Sequence, residues 1–114
     1  MEKTIKIDNK PVTFKCTGGT LYRYKQQFGR ELLADAASLV NVDTTKKKKV
    51  KSPDGKITFV DDFDLTKLNL ELVYNLAWTM AKTADPSIPD PMAWLDSFDT
   101  FPIVKVVEPL MEML

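Results

Sequence analysis

The stretch DLTKLNLELVYNLAWTMAKTA, residues 64–84, decides how this chain folds. Leu68, Leu72, Leu76 and Met80 recur along one side of a helix, while Leu70, Tyr74, Ala77, Trp78 and Ala81 take up another. Only Glu71, Asn75, Thr79 and Lys82 make a polar strip, and it is narrow. A helix apolar over most of its circumference has to be contacted from several directions, so this segment is expected to be the longest helix and the centre of the core.

Downstream, Asp85-Pro86-Ser87-Ile88-Pro89 cannot continue a helix, whereas Asp90 followed by Pro91 is a helix-start signal. The spacing predicts a short helix over residues 92–98. Asp99-Thr100-Phe101-Pro102 repeats the signal and leads to a last segment, residues 103–114. Its β-branched run resembles a strand, but Pro102 and the ending Leu110-Met111-Glu112-Met113-Leu114 favour a helix, with Pro109 expected to kink it.

Upstream, residues 4–7 and 12–16 are short runs rich in Thr, Ile, Val and Phe around Asp8-Asn9-Lys10-Pro11, the pattern of a β-hairpin. Ile5 and Ile7 share one face of the first strand, and Val12, Phe14 and Cys16 one face of the second. A two-stranded hairpin is marginal in water, so that face needs a helix beneath it. Gly18 and Gly19 end the hairpin, and Thr20 is placed to cap a helix whose apolar positions are Leu21, Tyr24 and Phe28. Gly29 is expected to break or kink the helix before it resumes through Leu32, Leu33, Ala36 and Leu39. Between these helices and the central one, residues 41–62 hold Lys46 to Lys49, the turn signature Ser52-Pro53-Asp54-Gly55 and the strand-like run 56–60. This segment reads as a lysine-rich mobile loop or a protruding hairpin. The fold expected is α+β but mainly α: an N-terminal β-hairpin packed on four or five short helices, forming one domain over residues 1–114.

Composition narrows the chemistry. The 114 residues include no histidine and one cysteine, Cys16, so a Ser-His or Cys-His nucleophile pair and a four-ligand structural zinc site are excluded, as is an internal disulfide. With 44% hydrophobic and 28% charged residues the chain is expected to fold rather than remain disordered. Its start, MEKTIKIDNK, lacks the apolar stretch of a secretory signal, and its apolar runs, such as residues 76–81, fall short of the roughly 20 residues that span a bilayer. A cytoplasmic protein is the expectation. Net charge is zero, yet residues 1–60 carry 13 Lys and Arg against 6 Asp and Glu, and residues 61–114 carry 3 against 10. The halves are therefore +7 and −7. Two readings stand: attraction between solvated faces within one molecule, or salt-sensitive self-association head to tail.

Candidate sites are few. Asp61-Asp62-Phe63-Asp64 offers carboxylates, but a calcium loop of the EF-hand type starting there needs Gly and Glu where Thr66 and Leu72 stand. Acids favouring a helix N-terminus explain the cluster. Asp85, Asp90 and Asp96 have no partner base, and Asp90 is already accounted for as a cap. Gly18-Gly19-Thr20 lacks the lysine and glycine spacing of a phosphate loop. Lys46–Lys49 with Lys51 suits phosphate contacts, although no aromatic residue interrupts the run and nucleic acid is not the expected partner. Trp78, Trp94, Tyr22 and Tyr24 fit a core better than a partner interface. No catalytic residue, metal ligand or cofactor is expected.

Two stretches, GGTLYRYKQQFGRELLAD at 18–35 and LVYNLAWTMAKTADPSIPDPMAWLDSFDTFP at 72–102, resemble the tail assembly chaperones of long-tailed phages and prophages of Gram-positive bacteria. The second is the more specific, since a Trp-bearing helix, the ADPSIPDP connector and a second Trp in WLDSF are an unusual combination. The lysine-rich insert is not a general feature of that family. The resemblance implies a non-catalytic protein that binds the tape measure protein, keeps it soluble, helps recruit the major tail protein around it, and is absent from the mature virion. A retained structural component of the tail or connector, and a small nucleic-acid-binding regulator using the lysine run, are the alternatives. Within the chain, Leu110, Met111, Met113 and Leu114 are the candidate partner-binding residues. Either some of them remain exposed for a partner helix, making the end of the chain dispensable for folding, or they close the core.

Overall fold

The computed structural model describes residues 1–39, 47–61 and 69–114. Among them the architecture is α+β and mainly α. Strands β1 (Glu2–Ile7) and β2 (Lys10–Lys15) form an antiparallel hairpin, followed by helices α1 (Thr20–Phe28) and α2 (Leu32–Leu39). A second antiparallel hairpin, β3 (Lys47–Lys51) and β4 (Ile57–Asp61), precedes α3 (Leu70–Ala84), α4 (Pro91–Asp96) and α5 (Ile103–Glu112). Of the two readings of the lysine-rich segment, the hairpin is the one observed over residues 47–61.

The first hairpin turns on Asp8 and Asn9 alone. Both have positive φ, 53° and 62°, a conformation these two residue types tolerate and one that matches the twist of the flanking strands. Lys10 and Pro11, expected in the turn, therefore belong to β2. Ile5 faces Val12 and Lys3 faces Phe14, so Ile5, Ile7, Val12 and Phe14 share one face as expected, with Ile7 and Phe14 fully buried against the helices.

At the start of α1 the expectation needs correcting. Gly19 holds the N-cap position and Thr20 is the first helical residue, buried, with its Oγ1 accepting from the Thr17 amide at 2.9 Å. This turns the inward face of α1 to Thr20, Tyr24 and Phe28, spaced by four, and leaves Leu21 exposed. The break at Gly29 is present: with φ 68° it closes α1 through its own N–H to the Lys25 carbonyl at 2.8 Å. On α2, Leu32, Asp35, Ala36 and Leu39 point inward and Leu33 outward.

Helix α3 is the hub and packs against β2, α1, α2, α4 and α5. It begins at Leu70 behind an Asn69 cap whose side chain accepts from the Leu72 amide, later than the expected start at Asp64; Leu68 lies outside the described residues. Leu72, Leu76 and Met80 are buried, as are Ala77, Trp78 and Ala81 on the adjoining side. Thr79, expected on the polar strip, is also buried, and its hydroxyl donates to the Asn75 carbonyl at 2.7 Å. Aromatic contacts join the elements: Phe28 meets Trp78 at 5.8 Å, Trp94 meets Phe98 and Phe101, and Tyr74 meets Phe101 at 5.7 Å.

The Pro-rich connector is tied down by polar bonds that its composition alone does not announce. The Trp78 indole donates to the Pro89 carbonyl at 2.9 Å and Lys82 to the Ile88 carbonyl at 2.7 Å. Asp90 caps α4 by accepting from the Ala93 amide at 2.9 Å, with Pro91 at the first helical position. Helix α5 carries Pro109 inside it and directs Val106, Val107, Leu110 and Met113 inward.

Candidate partner-binding groove

Of the two readings of the C-terminal residues, closing the core is the one observed for Leu110 and Met113. Leu110 is 0% exposed and Met113 4%; Met111 is half-buried, and only Leu114, at 40%, faces outward. The reason is helical spacing: Val106, Leu110 and the capping Met113 fall on one side of α5 and lie on the core with Leu76 and Met80 of α3, while Val107 beside them packs with Leu72 and Val73. The segment closes the core. Trp78, Trp94 and Tyr24 are buried too, whereas Tyr22 is exposed.

Two of the acidic candidates, Asp85 and Asp90, are occupied locally, and Asp96 is exposed at the end of α4. Asp85 accepts from the Ser87 amide and hydroxyl, which holds its carboxyl below the usual range, and Asp90 is the α4 cap. Asp61 is the last residue of β4, and Asp62 and Asp64 lie outside the described residues. Among the described residues no three Cys, Asp or Glu side chains come together as a metal site would require. Thr17, Gly18 and Gly19 form a tight turn in which the Gly19 amide donates to Thr17 Oγ1.

The most strongly perturbed titratable cluster joins α1 to α2. Tyr24 donates its phenol to Asp35 Oδ2 at 2.7 Å, and Arg30 grips both carboxylate oxygens at 2.8 and 2.7 Å. The Arg30 hydrogen bonds pull the Asp35 carboxyl down despite its burial, while burial, then the bond to Asp35, pushes the Tyr24 phenol up. A proton-transfer catalyst needs an ionisation near the working pH, and these two groups move away from it in opposite directions. The cluster is a clasp between two helices.

The two charge-opposed halves meet at Lys3 and Glu112, which pair at 2.5 Å and pin the first strand to the last helix. Among the described residues the other ion pairs, Lys25–Glu31 and Arg30–Asp35, lie within the basic half.

The hairpin's far side is a groove of about 520 Å³, within the size range of ligand sites. It is lined by β2, by Ala81, Ala84 and Asp85 at the end of α3, and by Ile88, Trp94 and Phe98. One end is fastened: Lys10 donates to the Ser97 carbonyl at 3.3 Å and lies 5.8 Å from the Phe98 ring centre, while the Asp99 amide donates to Asp8. Backbone parity says what the β2 wall presents. Met1 and Cys16 exchange two hydrogen bonds, at 2.8 and 3.1 Å. The antiparallel alternation then turns Phe14, Val12 and Lys10 toward β1, and leaves the N–H and C=O of Thr13 and Lys15 on the open edge. Pro11, with no N–H to offer, sits at the equivalent outward position, where a proline is tolerated in a strand. An unpaired strand edge beside an apolar wall is the arrangement that accepts an added strand. Sequence reasoning missed it because its walls come from the two ends of the chain.

No helix of the described residues is long and apolar enough to cross a membrane. Comparison with protein-family models, curated proteins and solved structures finds no match to this chain.

Proposed function

We propose that this chain is a non-catalytic tail assembly chaperone of a long-tailed phage or prophage, holding an extended segment of the tape measure protein along the open edge of β2. The reading rests on the resemblance carried by residues 18–35 and 72–102, which supply α1, α2, α3, the Pro-rich connector and α4. The observation that carries the binding mode is the groove: Thr13 and Lys15 offer main-chain donors and acceptors beside Ile88, Trp94 and Phe98.

A strand fits this surface better than the amphipathic helix expected from the sequence. Among the described helices the exposed large apolar side chains, Leu21 and Tyr22 of α1, Leu33 of α2, Leu70 of α3, Met92 of α4 and Val104 of α5, are divided over all five, so no helix displays an apolar stripe. Main-chain pairing also places few demands on the partner's side chains, which suits a client that must be released later. In this reading the protein acts in the host cytoplasm, recruits the major tail protein to the held segment, and is absent from the mature particle.

Co-expression with the tape measure protein tests it. Thr13→Pro removes one outward N–H and places a ring where a partner strand must lie, without removing a β1–β2 hydrogen bond. Thr13→Val, which keeps that N–H, serves as the control for loss of the 3.1 Å contact between the Thr4 and Thr13 hydroxyls. The tape measure protein should stay soluble with the wild type and Thr13→Val and precipitate with Thr13→Pro. If Thr13→Pro folds and protects equally well, the open edge is not the binding surface.

A further inference from the structure

The β3–β4 hairpin carries a surface that the groove does not use. Its register sets Lys49 opposite Phe59 and Lys51 opposite Ile57, so these four side chains share one face of a two-stranded ribbon. The ribbon turns through Ser52–Lys56, where Gly55 has φ 86° and Asp54 is held by the Ser52 hydroxyl and the Lys56 amide. Phe59 is 68% exposed and Ile57 52%, with Lys49, Lys51 and Lys56 exposed around them. No ion pair between described residues engages those three lysines. Among the described residues, the intramolecular attraction that Lys3 and Glu112 exemplify leaves this face open. In the linear sequence the lysine run contains no aromatic residue; pairing the strands brings one into it.

From this juxtaposition we infer that the β3–β4 ribbon binds single-stranded nucleic acid, with Phe59 stacking on a base and Lys49 and Lys51 contacting the phosphates on either side. A ring with a free face between cations is the minimal platform for an unpaired base, since every base has a π-face and its neighbours carry phosphates. Charge selects a polyanion. The −7 charge of residues 61–114 disfavours a broad anionic bilayer, which would face the acidic half as well, whereas a single strand can follow the ribbon alone. An acidic polypeptide would satisfy the lysines but leave Phe59 without a planar partner.

Fluorescence anisotropy with labelled oligo(dT) tests this, alongside vesicles rich in phosphatidylserine and poly-glutamate as competing anions. The wild type should bind oligo(dT) at low salt in preference to both. Phe59→Ala should weaken binding roughly tenfold and Phe59→Trp should preserve it, because stacking rather than size is at issue. Lys49→Ala with Lys51→Ala should flatten the dependence of log affinity on log salt by about 0.7 per lysine removed. These residues lie outside the core, so Trp78 and Trp94 fluorescence should report unchanged unfolding in every variant. Absence of oligo(dT) binding, equal binding by Phe59→Ala, or preference for vesicles or poly-glutamate would each overturn the inference.

Discussion

Replacing Leu110 by alanine probes the assignment of the C-terminal helix to the core. Leu110 is 0% exposed and belongs to the cluster that includes Leu76, Met80 and Trp94, so the truncation removes buried methyl groups and leaves a cavity between α5 and α3. Substitutions of this kind cost about 2–5 kcal/mol, against a total of roughly 5–15 kcal/mol for a domain of ordinary size. Leu114, three-dimensionally on the outer side of the same helix end at 40% exposure, should respond to the same change by no more than about 0.5 kcal/mol. Urea unfolding followed by the fluorescence of buried Trp78 and Trp94 separates the two. With a slope of about 1–3 kcal/mol per molar urea, Leu110→Ala should lower the midpoint by roughly 1–3 M while Leu114→Ala barely moves it. Deleting residues 109–114 removes Leu110 and Met113 together and should consume most of the stability, leaving an unfolded chain. Equal effects at 110 and 114, or a truncated chain that unfolds cooperatively near the wild-type midpoint, would refute the core assignment.

Two further expectations follow from the helix junction. Asp35→Asn should destabilise the protein by about 1–3 kcal/mol at neutral pH, because it weakens charge-assisted bonds to Arg30 and Tyr24. Since the Asp35 carboxyl is held below its unfolded value of about 3.9, its contribution is present above that pH and is lost as pH falls through the lower folded value. The gap between mutant and wild-type urea midpoints should therefore narrow below pH 4; a gap that stays constant into strong acid would contradict the clasp. Gly29→Ala should cost roughly 1 kcal/mol through the left-handed conformation alone, since nothing crowds the site, whereas Gly18→Ala, with equal space and no such conformation, should not; calorimetric melting of the pair decides.

Local pattern made much of the fold legible. Alternation of Ile5, Ile7, Val12 and Phe14 identified the hairpin face, and the near-continuous apolar surface of residues 70–84 identified the hub, because burial on a strand or helix leaves its period in the sequence. Periodicity did not reveal phase where competing bonds set it. Thr20 is first in α1 rather than its cap because its hydroxyl is taken by the Thr17 amide in the preceding turn, and that shift of one residue puts Leu21 outside. Counting charges left two readings of the chain's end open, and tracing the stripe Val106–Leu110–Met113 chooses the core. The groove and the ribbon face are tertiary features. Lys10 and Ser97 are separated by 87 positions, and Phe59 reaches Lys49 only through the register set at Gly55.

Amide hydrogen exchange at Thr13 and Lys15, measured with and without the tape measure protein, addresses the proposed binding mode most directly. In the free protein both N–H groups lie on the unpaired edge and should exchange rapidly, while those of Val12 and Phe14, bonded to β1, exchange slowly. Binding by strand addition should slow Thr13 and Lys15 specifically. Complex formation that leaves these two amides fast, with new protection confined to α5 or the exposed faces of α1 and α2, would contradict the account.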